Sequence, residues 1–261
     1  MRMFAAACLM FAAGLVRAEM VVEKVEYAVD DRVFEGVLVY DGALRVHRPG
    51  VVMVPNWMGV TDAAIGKARE LAGSRYVVLV ADMYGKDLRP ADAAEAGQAS
   101  GAVLADRAVT RARAAAAVEA LSRHGRTVLQ PGRIAAIGFC FGGTSVLELA
   151  RSGADIAAVV ALHGNPEPVL AAGKGEVRAA VLVLHGADDP WVPDGNLRAF
   201  EAEMRAAGAD WTLASFGGAV HCFAEADADM PPGCVYDARA ARRAYAMLHD
   251  FLGEHFDGHG R

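Results

Sequence analysis

The sequence predicts an α/β fold with a mainly parallel central sheet, helices on both faces and an antiparallel hairpin at its N-terminal end. Several apolar, β-branched segments lack alternation, as expected of strands that are buried on both faces. Helix-forming segments separate them, which favours a parallel sheet covered by helices. The segments with strand character are residues 51–54, 76–81, 134–139, 156–162 and 179–184.

The remaining elements follow from local patterns. Residues 21–27 and 33–40 alternate and flank Asp30 and Asp31, which predicts a hairpin. Thr61 and Asp62 can begin a helix that continues to Ala72. Further helices are expected in the alanine-rich segment 91–123, after Gly143, over 196–207 and around 241–252, with a short strand at 211–216.

Composition narrows the class of protein. The chain has 261 residues, and 54% of them are apolar, which suits one well-buried domain. The formal charge is −6, and no block of lysine and arginine occurs, so nucleic acid is not an expected partner. No C-x-x-C spacing occurs, and the one H-x-x-x-H spacing, His255 and His259, lies at the end of the last predicted helix and in the tail, so we expect no metal. The dinucleotide pattern G-x-G-x-x-G is absent, so a dinucleotide site is not expected.

The first 18 residues have the pattern of a secretory signal peptide. A short positive start with Arg2 precedes the apolar run 4–16, and small residues, Val16 and Ala18, stand before Glu19. We therefore expect cleavage after Ala18, a mature single domain of residues 19–261, and secretion to the periplasm in preference to the exterior. No membrane association is expected after cleavage. The alternative is an uncleaved, buried first helix.

The predicted export affects which of the four cysteines are expected to form a disulfide. Cys8 leaves with the signal peptide, so three cysteines remain in an oxidising compartment, where pairs tend to form. Cys222 and Cys234 are separated by a short loop containing proline and glycine, and they predict a disulfide. Cys140 would then be the free thiol.

The segment around Cys140 predicts a nucleophile. Gly138-Phe139-Cys140-Phe141-Gly142 follows a strand and opens a helix, which is the nucleophile elbow of the α/β-hydrolase fold with sulfur in place of oxygen. The helix N-terminus favours the thiolate, the reactive form. A buried structural cysteine is the alternative interpretation. Ser145, the other candidate nucleophile, lies inside the helix and outside the elbow.

An acid and a base follow in the order that this fold requires. Asp189 lies in the loop after the strand 179–184, and His221 follows the strand 211–216. We prefer Asp189 to its neighbour Asp188 because a Val-Pro pair follows it, although both could simply shape a turn. His221 would accept the thiol proton, and the aspartate would orient its ring.

The remaining candidate residues would bind the substrate. Two backbone N–H groups, of Trp57 and Phe141, are expected to form the oxyanion hole. His163 follows a strand and is expected either to line the pocket or to be structural. The predicted pocket residues are Asn56, Met58, His163, Trp191, Phe223 and Glu225.

With these residues assembled, the chain resembles the dienelactone hydrolase family over almost all of its predicted mature length. The motifs that carry the resemblance are PNWMG, ADMYG, GFCFGG, HGADDPWVP and AVHCFA. The resemblance implies hydrolysis of an activated ester or enol lactone through a thioester, without metal or organic cofactor. The partner is then a small-molecule ester or lactone, and we expect a monomer or a weak dimer.

Two positions depart from the better-known members of that family. Asn56 stands where they carry a glutamate that pairs with the resting thiol, so Cys140 would instead pair with His221. Glu225 stands where they carry an arginine that holds a carboxylate. An acid there predicts a neutral ester or lactone, although Lys86 or Arg89 could supply a positive charge.

Two other functions are compatible with the same fold, because a fold does not prove an activity. The protein could bind its ligand without turnover. It could also be a redox sensor in which Cys140 reacts with oxidants.

Overall fold

An eight-stranded sheet forms the centre of the protein, in a computed structural model that describes residues 19–43 and 45–257. The predicted signal peptide, residues 1–18, lies outside the described residues. The strands of the sheet are β1 (Met20–Val29), β2 (Arg32–Asp41), β3 (Arg48–Val54), β4 (Val77–Val80), β5 (Leu129–Phe139), β6 (Ala158–Leu162), β7 (Ala180–Gly186) and β8 (Trp211–Phe216).

The direction of the strands confirms the predicted fold class. The strands lie in the order β1-β2-β4-β3-β5-β6-β7-β8. β1 pairs with β2 in an antiparallel hairpin, and β2 pairs with β4 in the same way. All pairs from β4 and β3 through to β8 are parallel. A further small hairpin, β9 (Asp229–Met230) with β10 (Cys234–Val235), lies outside the main sheet.

Helices cover both faces of the sheet. Successive residues of β3 point to opposite faces, so Val52 and Val54 join one apolar cluster while Val51 and Met53 join the other. No helix in the described ranges is long and apolar enough to span a membrane. The helices are α1 (Asp62–Ala72), α2 (Ala93–Leu104), α3 (Arg107–His124), α4 (Phe141–Arg151), α5 (Asp194–Ala207) and α6 (Ala238–Phe256).

Capping side chains set two of the helix boundaries. The Thr61 side chain accepts a hydrogen bond from the N–H of Ala64 at the start of α1, as its position in the sequence predicts. The alanine-rich segment 91–123 forms two helices instead of a continuous one. Asp106 ends the first and caps the second by accepting hydrogen bonds from the N–H groups of Ala108 and Val109. Its capping preference outweighs the helix propensity of its neighbours.

The topology places two loops at one crevice. The chain passes from β3 to β4 on one side and then returns to β5 on the other side of β3. Such a switch point separates the loops after the two central strands and opens a crevice at their carboxyl ends. The loop after β3 and the turn after β5 therefore meet there.

A buried ion-pair network ties α4 to α5, so it supports the helix that begins at the elbow. Arg151 donates to both carboxylate oxygens of Glu203 at 2.9–3.1 Å and to Glu148 at 3.0 Å. We expect Glu203→Ala to lower the free energy of unfolding by about 3–5 kcal/mol, because it leaves a buried guanidinium incompletely paired. The control is Glu201→Ala, which breaks an exposed pair with Arg205 and should cost at most about 1 kcal/mol. Equal losses in urea unfolding of both variants would contradict this assignment.

Candidate active site

Cys140 occupies the sharp turn between β5 and α4. Its φ of 53° and ψ of −117° lie outside the regions that L-residues usually adopt, a strain typical of functional sites. It is the N-cap of α4, so its side chain stands at the positive end of that helix dipole. In the described part of the chain, Cys140 is the one cysteine that is not in a disulfide.

The glycines beside Cys140 are required by close backbone contacts. A Cβ atom on Gly138 would lie 2.0 Å from the carbonyl oxygen of Gly142, and one on Gly142 would lie 2.1 Å from that of Val54. No side chain fits at either position. The close approach of Gly142 to β3 also sets the elbow beside the loop that follows β3.

Asp189 and His221 meet at the carboxyl ends of β7 and β8. His221 Nδ1 donates to Asp189 Oδ2 at 2.6 Å, and the other carboxylate oxygen accepts from the N–H of Trp191 at 2.9 Å. Asp189 is buried, whereas Asp188 is exposed. Of the two aspartates, Asp189 is therefore the one that orients the histidine, and it also shapes its own turn.

The environment of His221 favours its protonated form. Burial alone would lower its pKa, but hydrogen bonds with Asp189 and Cys140, together with their negative charges, raise the pKa to about 10. The ring of Trp191 packs edge-on against the imidazole with centroids 4.9 Å apart. An imidazolium at His221 is therefore favoured beside Cys140, and Asp189 and Trp191 hold the ring from two sides.

The predicted disulfide between Cys222 and Cys234 is present. Cys222 directly follows His221 and has a φ of 59°. The chain around Cys234 runs beside His221, and the N–H of Val235 donates to the His221 carbonyl at 3.1 Å. The disulfide and this backbone pairing together anchor the loop that presents His221.

Replacing both Cys222 and Cys234 by serine is expected to lower the free energy of unfolding by about 3 kcal/mol, from the loop-closure entropy of a short loop. Urea unfolding measures this loss. Without reductant, alkylation of a protein that begins at Glu19 should modify Cys140 alone, and the intact mass reports where the chain begins. Three alkylated thiols in a protein that begins at Glu19 would contradict the disulfide.

A cavity of about 510 Å³ opens above the elbow. It brings together Cys140, His221 and the two residues whose N–H groups are predicted to form the oxyanion hole, Trp57 and Phe141. Phe141 is the first residue of α4, so its N–H has no acceptor within the helix. The cavity is lined by Trp57, Ser100, Leu104, Cys140, Phe141, Thr144, Asn165, Trp191, Val192, His221, Cys222, Met230 and Cys234.

Of the six residues predicted to line the pocket, Trp191 does so. The structure places the other five, Asn56, Met58, His163, Phe223 and Glu225, outside the cavity lining. His163, Phe223 and Glu225 are buried beneath the site. Asn56 turns towards Glu225, and its side-chain oxygen accepts from the N–H of Met58 at 3.0 Å.

The position of Glu225 corrects the role that the sequence suggested. Its carboxylate lies outside the lining of the cavity beside Cys140, and Lys67 Nζ pairs with Oε2 at 2.8 Å. Lys67 also lies over the ring of Phe139, 4.1 Å from its centroid. Sequence reasoning missed this lysine because no local pattern links a residue of α1 to a loop 158 positions further along.

In the described part of the chain, the charged side chains other than His221 lie outside the cavity lining. Lys86 pairs with Glu26, and Arg89 pairs with Asp82, so neither offers its charge to a ligand beside Cys140. In residues 19–43 and 45–257, no three His, Cys, Asp or Glu side chains form a group that could hold a metal ion.

Tyr84, in the ADMYG motif after β4, supports both residues of the predicted oxyanion hole. Its hydroxyl donates to the carbonyl of Trp57 at 2.7 Å. Its ring packs against Phe141 with centroids 5.5 Å apart. The motif was visible in the sequence, but nothing in it indicated this contact.

Comparisons with known proteins agree with the fold. A crystal structure of a dienelactone hydrolase-like promiscuous phosphotriesterase from metagenomic libraries is 38% identical and has a TM-score of 0.85. The match covers 92% of this chain and 99% of that one. A putative dienelactone hydrolase from Klebsiella pneumoniae subsp. pneumoniae is 18% identical, with a TM-score of 0.76 over 90% of this chain and 99% of its own, and shows the fold alone.

A curated relative is an uncharacterised protein from Caenorhabditis elegans. It is 33% identical over 128 residues, which are 48% of this chain and 81% of the relative. The sequence profile of the dienelactone hydrolase family matches residues 34–256. The chain therefore belongs to the dienelactone hydrolase family and is a hydrolase of the α/β-hydrolase fold.

Proposed function

We propose that the protein hydrolyses activated carboxylic esters or lactones with Cys140 as nucleophile, His221 as base and acid, and Asp189 as the residue that orients His221. One observation carries the proposal. Cys140 is held in a strained elbow at a helix N-terminus and lines the same cavity as a histidine whose other nitrogen is bound to a buried carboxylate. This combination activates a thiol for attack on a carbonyl group.

Acylation begins with the Cys140 thiolate, which forms a C–S bond at the carbonyl carbon and pushes the π electrons onto oxygen. The N–H groups of Trp57 and Phe141 bind that oxyanion. As the carbonyl re-forms, the C–O bond to the leaving group breaks, and the His221 imidazolium gives its proton to the departing oxygen. The product of this half-reaction is an alcohol, or the opened ring of a lactone, and a thioester on Cys140.

Deacylation reverses the proton transfer. Neutral His221 takes a proton from water while the water oxygen bonds to the thioester carbonyl. The same two N–H groups bind the second oxyanion. Collapse of this intermediate breaks the C–S bond, releases the carboxylic acid and restores the thiolate beside an imidazolium. Asp189 keeps the proton on Nδ1 throughout, so that Nε2 serves Cys140 and the water.

The cavity favours neutral, apolar substrates. Trp57, Leu104, Phe141, Val192 and Met230 contribute to its lining, and no lysine or arginine among the residues that the structure describes lines it. A carboxylate would lose hydration there, and the one positive group in the described lining, His221, is already paired with Asp189. Since Glu225 is paired with Lys67, this preference follows from the apolar lining and does not need repulsion by Glu225.

A substrate panel tests the proposal. We expect kcat/KM for neutral activated esters and lactones to exceed that for matched anionic ones by at least about ten-fold. A neutral phosphotriester belongs in the panel because a 38% identical relative is described as a promiscuous phosphotriesterase. Equal rates on anionic and neutral esters would contradict the preference. Stoichiometric labelling of Cys140 without turnover would favour a binding protein, and peroxide sensitivity without hydrolysis would favour a redox sensor.

We further propose that residues 1–18 are a signal peptide cleaved after Ala18. The mature protein, residues 19–261, would be a single domain secreted to the periplasm as a monomer or weak dimer. The positive start, the apolar run and the small residues before Glu19 support this proposal.

A further inference from the structure

A cluster of buried polar side chains lies beneath Cys140 and takes no part in the proposed chemistry. His163 follows β6 and is completely buried, and Glu225 is 3% exposed. Lys67 and Asn56 complete the cluster by binding Glu225. Burying a polar group without a hydrogen-bond partner lowers the stability of the folded protein. A buried polar cluster beside a reactive centre is therefore a candidate for a functional role.

The side chain of His163 contacts the backbone of Cys140 directly. The N–H of Cys140 donates to His163 Nδ1 at 3.1 Å and shares its hydrogen with the carbonyl of Leu162 at 3.0 Å. A ring nitrogen that accepts a hydrogen bond carries no proton, so the proton of the neutral ring is on Nε2. Burial holds the pKa of His163 well below its usual range, and the charges of His221 and Lys67 lower it further.

Glu225 reinforces this tautomer. Its Oε2 accepts from Lys67 at 2.8 Å and from Asn56 at 2.7 Å, while Oε1 faces His163 Nε2 at 3.8 Å. Within the described part of the chain, neither Oε1 nor Nε2 has a hydrogen-bond partner, and the 3.8 Å between them is a charge contact longer than a hydrogen bond. A carboxylate oxygen facing Nε2–H favours the proton on that nitrogen, which leaves Nδ1 free to accept from Cys140.

The ring of His163 is fixed by packing and by an unusual backbone conformation. Its φ is 41°, a left-handed value that few residues other than glycine adopt. Its centroid lies 5.1 Å from that of His221 and 5.5 Å from that of Phe223. The imidazole therefore contacts both the backbone of the nucleophile and the ring of its proposed base.

We infer that His163 is a positioning residue for the reaction: its Nδ1 holds the amide of Cys140, and so aims the thiolate within the elbow towards His221. The inference rests on the proposed function of Cys140. It does not make His163 a catalytic residue, because the ring lies outside the cavity lining and cannot touch a substrate.

Two substitutions separate this role from simple packing. His163→Asn places an amide oxygen where Nδ1 stands, and asparagine tolerates positive φ. His163→Gln carries its amide one carbon further, near the position of Nε2, and removes the acceptor. We expect the asparagine variant to keep kcat within a few-fold. The glutamine variant should lose about 10- to 100-fold in kcat with little change in KM.

The rate at which iodoacetamide alkylates Cys140 gives a second measurement that needs no substrate turnover. It should fall in His163→Gln and be restored in His163→Asn, with thermal melting as the check on folding. If the glutamine variant does not fold, His163→Ala replaces it, since alanine removes the acceptor without adding volume.

Each result decides a different claim. The inference would be overturned if the glutamine or alanine variant kept the wild-type kcat and alkylation rate. It would also be overturned if the asparagine variant lost as much kcat and alkylation rate as the glutamine variant. Full ester turnover by Cys140→Ala would overturn the proposed function instead, whatever the His163 variants do to alkylation in a Cys140 background.

Discussion

Replacing Cys140 by alanine is expected to lower kcat/KM for activated esters by at least about 10³-fold. The substitution removes the atom that forms the thioester, whereas the cavity and the oxyanion N–H groups remain. The activity that survives should be the small contribution of binding and oxyanion stabilisation to direct attack by water. Initial rates on a neutral activated ester measure the loss.

Ser145→Ala is the matched control for this variant. Ser145 is buried in α4, and its hydroxyl donates to the carbonyl of Phe141 at 2.9 Å, so it faces away from any substrate. We expect its kcat/KM to stay within a few-fold of wild type. An active Cys140→Ala together with an inactive Ser145→Ala would move the nucleophile to the serine.

The second large effect is expected at Asp189. Asparagine at this position can still accept from the N–H of Trp191, so the turn should survive, but it removes the charge facing His221. It also permits the wrong tautomer, in which Nε2 carries the proton and cannot serve as a base. We expect kcat to fall by about 10²- to 10⁴-fold, with thermal stability close to wild type.

Asp188→Asn provides the neighbouring control. Asp188 is exposed, and its backbone N–H donates to Ala219, a bond that the substitution leaves intact. Its activity should match wild type. If Asp188→Asn lost activity and Asp189→Asn kept it, the acid would have been assigned to the wrong residue.

Local patterns explain why much of the fold could be predicted from the sequence. Runs buried on both faces identified the parallel strands, and the glycines around Cys140 identified the elbow, because each signal lies within a few residues. The alanine-rich segment shows the limit of propensity. Asp106 interrupts the helix because its side chain caps α3. Helix propensity averaged over the whole segment does not reveal the effect of this single residue.

Some of the predicted site residues could likewise be placed from local patterns, whereas others could not. Cys140, Asp189 and His221 follow strand ends, and the sheet brings strand ends together, so their proximity could be predicted. Glu225 was expected to face a substrate because it stands where better-known members of the family carry an arginine that holds a carboxylate. Its true partner, Lys67, comes from a helix far away in the chain, and only the packed structure reveals that pair.

The most direct test of the proposed mechanism is mass spectrometry of the protein quenched in acid during turnover of a neutral activated ester, followed by peptide mapping. Our account predicts one acyl group per chain, attached to Cys140 as a hydroxylamine-sensitive thioester that decays at the rate of turnover. Turnover that continues with no acyl group on Cys140, or with the acyl group on another residue, would contradict the cysteine mechanism.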